Sequence, residues 1–133
     1  MNFLKITALS AVAASSLMLA GAAVAQDKTY TIGVSVPTAD HGWTGGVDFF
    51  AQQAIDRLQK AYSNVKFVLA TAPDSTKQAA DLEDMVSTRT LDGLIILPGD
   101  PDAMTASITK VKDAGQWVTV IDRQLSQSNI EDL

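Results

Sequence analysis

Four short apolar runs, each followed by a stretch with helical spacing or by a polar turn, constrain this chain more than any other feature. Thr29–Val36, Val65–Ala70, Leu94–Leu97 and Trp117–Ile121 are rich in β-branched or wholly apolar residues and predict strands. After the first, Val47, Phe50, Ala51, Ala54, Leu58 and Ala61 recur at three- and four-residue steps, which places them on one helix face. Asp48, Gln52, Gln53, Arg57 and Lys60 fall mostly on the other face, as a surface helix requires. After the second, Ser75 and Gln78 have the spacing of a capping box, and Ala79, Leu82, Met85 and Val86 form the next buried stripe. Asp100-Pro101 predicts a helix start, since Asp caps free N–H groups and Pro fits the first turn. Met104, Ile108 and Val111 carry that helix to a stop at Gly115. Strands alternating with helices over short connections predict an α/β fold with a parallel sheet and right-handed crossovers.

A parallel sheet sends all its carboxyl ends to one edge, and ligands bind outside that edge. Four polar clusters are therefore expected together. They are Asp40, His41 and Trp43 after the first strand, Asp74 after the second, Asp100 after the third, and Asp122-Arg123 after the fourth. A neutral polyol suits such an edge. Its hydroxyls bond to carboxylate and guanidinium, and its C–H face stacks on an indole. Asp100 is read first as a helix cap. Asp74 has capping as its competing role, and His41 competes as a cap of the first helix. Asp122 and Arg123, adjacent at a strand end, are expected to point to different sides and serve separate roles.

The first residues predict a compartment. Lys5 supplies a positive start, Ile6–Leu19 an apolar Ala-rich segment, and Ala23-Val24-Ala25 a small-residue cleavage pattern. Residues 1–25 are thus expected to be a cleavable signal peptide, with periplasmic delivery of residues 26–133. The absence of cysteine from the sequence excludes a disulfide framework and a thiolate metal site. A formal charge of −5, with Lys and Arg scattered singly, argues against nucleic acid as partner.

Catalysis finds little support. No Gly-x-Ser-x-Gly elbow, Gly-x-Gly-x-x-Gly turn or phosphate loop occurs, so no cofactor is expected. Metal ligation by His41 with Asp40 and Asp74 is a weak case with one histidine, and no metal is expected.

Ile32-Gly33-Val34-Ser35-Val36-Pro37, Asp92-Gly93-Leu94-Ile95-Ile96-Leu97-Pro98 and Val118-Thr119-Val120-Ile121-Asp122-Arg123 resemble the N-terminal lobe of periplasmic sugar-binding proteins of the ribose-binding type. The resemblance runs from Tyr30 to about Glu131. It implies a three-layer α/β/α lobe, strand order 2-1-3-4, and a monomer that captures a monosaccharide or polyol for an ABC permease. Service to a chemoreceptor is a further implied partner. In that family the Asp-Arg pair grips sugar oxygens, which the resemblance carries to Asp122 and Arg123. His41 stands at a family amide position, Trp43 at an aromatic one, and Asp74 where an Asn is common. Thr44-Gly45-Gly46 replaces a second aromatic, which is expected to leave more room. Repressor ligand-sensing cores share this fold, but they begin with a basic helix-turn-helix rather than an export signal. The ten residues after Arg123 are mostly polar and supply no fifth strand, so residues 26–133 are expected to be an incomplete lobe, with the second lobe absent.

Overall fold

The computed structural model describes residues 28–88 and 91–125. The expected signal peptide at 1–25 and most of the polar tail lie outside the described residues. The elements run β1 (Tyr30–Pro37), α1 (Gly42–Ala61), β2 (Val65–Ala72), α2 (Ser75–Thr88), β3 (Gly93–Ile96), α3 (Pro101–Asp113) and β4 (Trp117–Val120). All strand pairs are parallel, in the order β2-β1-β3-β4. The strand order therefore reverses between β1 and β3, which is the switch point where α/β sheets open a crevice.

Alternation along each strand sorts the side chains onto two faces. Leu94 and Ile96 of β3 and Val118 and Val120 of β4 pack with Leu82 of α2 and Met104, Ile108 and Val111 of α3. Val34 and Val36 of β1, Leu97, and partly buried Phe67 and Leu69 of β2 pack with Ile55 of α1 on the other face. The result is the expected three-layer α/β/α arrangement, with two helices on one side and one on the other.

α3 shows why its sequence forms a bounded helix. Asp100 Oδ1 accepts from the amides of Asp102 at 2.9 Å and Ala103 at 3.1 Å, and Pro101 opens the first turn. At the other end Gly115 has φ of +88°, where a Cβ is strained. That turn lets Gly115 N–H reach Lys112 O at 2.8 Å and Gln116 N–H reach Val111 O at 3.4 Å, satisfying two carbonyls left over by the helix.

Several expectations need correction. In α1 the most buried apolar side chain is Ile55, while Phe50 is 66% exposed and Ala61 is also exposed. The buried stripe is centred on the side facing β1 and β2, which leaves Phe50 on its open flank. Val86 at the end of α2 is exposed as well. The Ser75–Gln78 capping box does not form: Asp74 caps α2 instead, accepting from Lys77 N–H at 2.8 Å. Gln78 turns inward and is 1% exposed. Its spacing to Leu82 and Met85 is the i, i+4, i+7 of the core stripe, and that periodicity prevailed over the capping motif.

Candidate ligand-binding edge

The carboxyl edge is assembled by continuing the ladders a residue or two past each strand. Thr38 N–H bonds Ala72 O at 2.8 Å, Leu97 N–H bonds Ser35 O at 2.9 Å, and Ile121 N–H bonds Ile96 O at 2.9 Å. These bonds hold all four following loops on one side of the molecule.

In the loop after β1, Thr44 is the organising residue. It is buried at the third position of α1, and its hydroxyl donates to Asp40 Oδ1 at 2.7 Å. The same oxygen accepts from the amides of Asp40 at 3.2 Å and His41 at 3.3 Å. This hydrogen bond is the main reason the Asp40 carboxyl is held below its ordinary pKa; nearby His41 acts in the same direction. His41 Nε2 stands 3.4 Å from Asp40 Oδ1, with both side chains largely exposed. His41 occupies the N-cap position of α1 with extended backbone. Thr44 does not leave the open room expected of the Thr44-Gly45-Gly46 stretch. It is instead a buried support, and its spacing three residues after a candidate cap was the signal available.

Trp43 is 48% exposed and is set apart from that pair. It lines an open apolar hollow of about 570 Å³ together with Val36, Val47, Phe50, Ile95 and Ile121. One apolar wall thus runs from the first loop to the end of β4.

Asp74 lies at the same edge after β2, where its Oδ1 is engaged as the α2 cap. Asp100 caps α3 as expected.

After β4 the chain turns sharply. Arg123 N–H reaches back to Ile121 O at 2.8 Å, and Asp122 between them has φ of +66°. Side chains other than glycine seldom occupy this left-handed region, and such strained residues collect at ligand sites. The turn brings Arg123 Nε within 3.7 Å of Asp122 Oδ2, so the two are paired rather than directed apart. The tight turn is what overrides the alternation that separates neighbours along a strand. Arg123 Nη1 also donates to Pro98 O at 3.0 Å and to Gly99 O. The guanidinium is therefore anchored across the edge to the loop after β3.

Of the predicted residues, the structure joins Asp40 with His41 and Asp122 with Arg123. Trp43 and Asp74 share the edge without a direct bond to either pair among the described interactions. The described residues contain no group of three or more His, Cys, Asp or Glu side chains placed to hold a metal ion.

An open parallel sheet with polar pairs along its carboxyl edge is the architecture of an α/β ligand-binding lobe. The chain belongs to the periplasmic binding protein domain family, whose model matches residues 32–132. It is 30% identical over 108 residues to the ribose import binding protein of Bacillus subtilis, covering 80% of this chain and 33% of that protein. A solved ABC transporter solute-binding protein from Bacillus halodurans with bound myo-inositol superposes with a TM-score of 0.62 at 25% identity, covering 76% of this chain and 33% of the other. One from Mycobacterium smegmatis with bound glycerol gives 0.61 at 25% identity, covering 74% and 33%. The chain thus spans about a third of the length of these relatives.

Proposed function

We propose that this chain supplies the first lobe of a periplasmic solute-binding protein, one that captures a neutral monosaccharide or polyol and delivers it to an ABC permease. The observation that carries this reading is the Asp122–Arg123 turn. It places a carboxylate and a guanidinium side by side at the end of β4, with the guanidinium anchored to the loop after β3, the strand that borders the switch point. Acceptor and donor at that spacing suit vicinal hydroxyls, and charge-assisted bonds are the stronger kind. Asp40 and His41 would add a second polar contact from the first loop, Asp74 a third, and Trp43 an apolar surface for the C–H face of a ring. A relative that is a ribose import binding protein, and solved relatives with bound myo-inositol and glycerol, support a polyhydroxylated ligand.

In this reading residues 1–25 direct export and are removed, and the ligand sits between this lobe and a second one. Closure about a hinge would then be driven by contacts available only in the closed state. The role is binding and not catalysis.

A thermal-shift and calorimetric panel of pentoses, hexoses, deoxysugars, inositol and glycerol, run on the full polypeptide containing this lobe, tests the proposal. At least one neutral polyol should raise the melting temperature, and Arg123→Ala should abolish most of that rise. Stabilisation by an amino acid or an anion, with none from the sugars, would sink the sugar reading.

A further inference from the structure

The loop that holds Arg123 is itself held from behind by a side chain buried in the core. Gln78 on α2 is 1% exposed, and its Nε2 donates to Leu97 O at 2.9 Å and to Ser35 Oγ at 3.1 Å. Its Oε1 accepts from Gly99 N–H at 2.8 Å. The orientation of the amide is forced, because Leu97 O can only accept and Gly99 N–H can only donate. Bonding one residue's carbonyl and the N–H two residues on is what a neighbouring parallel strand does. Beyond Ile96, Pro98 has no N–H to offer a ladder. The Gln78 amide acts there as a one-residue strand, carrying the edge of β3 two residues further.

The same peptide unit faces the site on its other side. Pro98 C=O and Gly99 N–H belong to one planar group, so fixing the N–H fixes the carbonyl. Pro98 O and Gly99 O are the two acceptors of Arg123 Nη1. The loop 97–99 is therefore clamped between Gln78 and the guanidinium. Gly99 leaves no slack in the clamp: a Cβ there would lie 3.1 Å from Ser75 Oγ and 3.4 Å from Gln78 Oε1.

We propose that Gln78 is a positioning residue for the Arg123 guanidinium, acting through the Pro98–Gly99 peptide, and so sets the geometry with which this edge binds a polyol. The last step rests on the proposed function; the positioning itself does not. A planar guanidinium rewards correct orientation with paired hydrogen bonds, so a small displacement lowers affinity without removing any ligand-touching group.

Gln78→Met keeps the length of the side chain and removes its amide. It should speed rotation about the Arg123 Nε–Cζ bond and raise Gly99 amide exchange, both read by NMR. Affinity for D-ribose or myo-inositol, whichever the unmodified protein binds, should fall about tenfold through the lost orientation. In an Arg123→Ala background the same substitution should change affinity by less than about twofold, because coupled residues are not additive. Ser35→Ala, which removes only the far bond of Gln78, should lower stability and leave Arg123 rotation unchanged.

A Gln78→Met protein that is merely less stable, with Arg123 rotation and Gly99 exchange unaltered, overturns the positioning role. If neither probe binds the unmodified protein, the affinity arm uses whichever member of the polyol panel does, and the two NMR signals decide the positioning either way. If Gln78→Met does not fold, exchange in the unmodified protein decides. Gly99 N–H should be protected as strongly as Leu97 N–H, and exchange at the rate of an open loop overturns the clamp.

Discussion

The two faces of the sheet are finished differently. On the side of α2 and α3, Ile96, Met104 and Ile108 have no exposed surface. On the side of α1, Trp117 is 62% and Phe50 66% exposed, and Ile95 and Ile121 line the open hollow beside Trp43. Helix width explains the contrast. Four strands about 4.8 Å apart make a surface roughly two helices wide, since a helix with side chains is about 10 Å across. α2 and α3 together span it, whereas α1 reaches β1 and β2 and, among the described residues, leaves β3 and β4 open on that face. Apolar residues on both sides of a strand are thus necessary for a closed core but do not close it.

The largest expected effect tests this directly. Ile108→Ala empties a closed site and should cost about 2–5 kcal/mol in urea unfolding, while Phe50→Ala should stay within about 0.5 kcal/mol. Equal losses would mean that the α1 face is covered in solution and the contrast between the faces is false.

The two left-handed residues sharpen the comparison at the level of backbone. Gly115→Ala should destabilise α3 by about 1 kcal/mol, because its Cβ meets open space and only the positive φ resists it. Asp122→Gly should act in the opposite direction, gaining up to about 1 kcal/mol by relieving strain. The same change should weaken polyol binding by removing the carboxylate. Thermal unfolding and ligand titration of the two variants separate a turn kept for folding from one kept for the site.

The smallest effect is electrostatic. Asp92 lies at the opposite edge, bonded to Lys28 Nζ at 2.8 Å and to Thr31 N–H at 2.9 Å, and these partners hold its carboxyl below the ordinary value. A carboxyl depressed on folding leaves the unfolded chain binding more protons. Its contribution is complete above about pH 4 and is lost as the pH falls through the depressed value. Asp40, bonded by Thr44, follows the same direction. Asp92→Asn should flatten part of the acid limb of a stability profile at the amino edge. Thr44→Val should flatten the part due to Asp40 at the carboxyl edge. An unchanged limb in both variants would show that neither pair forms in solution.

Most of the fold was legible because it rests on local periodicity. The four strands and three helices fall where the apolar runs and the Asp100-Pro101 and Gly115 punctuation put them, with boundaries moved by a residue or two. The candidate site was legible only as a set of positions, since parallel strands must send Asp40, His41, Asp74, Asp122 and Arg123 to one edge. Its internal bonding was not. Thr44, expected to leave open room, is held by the nearby Asp40 and His41, so its local spacing carried a signal. Gln78, expected as a cap, was decided by distant partners. For Gln78 those partners are Ser35 and Leu97, 43 and 19 residues away. The pairing of Asp122 with Arg123 depended on a positive φ, which Asp adopts more readily than most side chains but which its identity alone does not dictate.

Periodicity and punctuation, each a property of neighbouring residues, were enough to determine an α/β lobe with a polar carboxyl edge. Which apolar residues became core, which polar residue went inside, and which neighbours of Arg123 hold it were decided only when distant segments met. A side chain's burial and bonding depend on what covers it, and among the described residues one face is covered by two helices and the other by one.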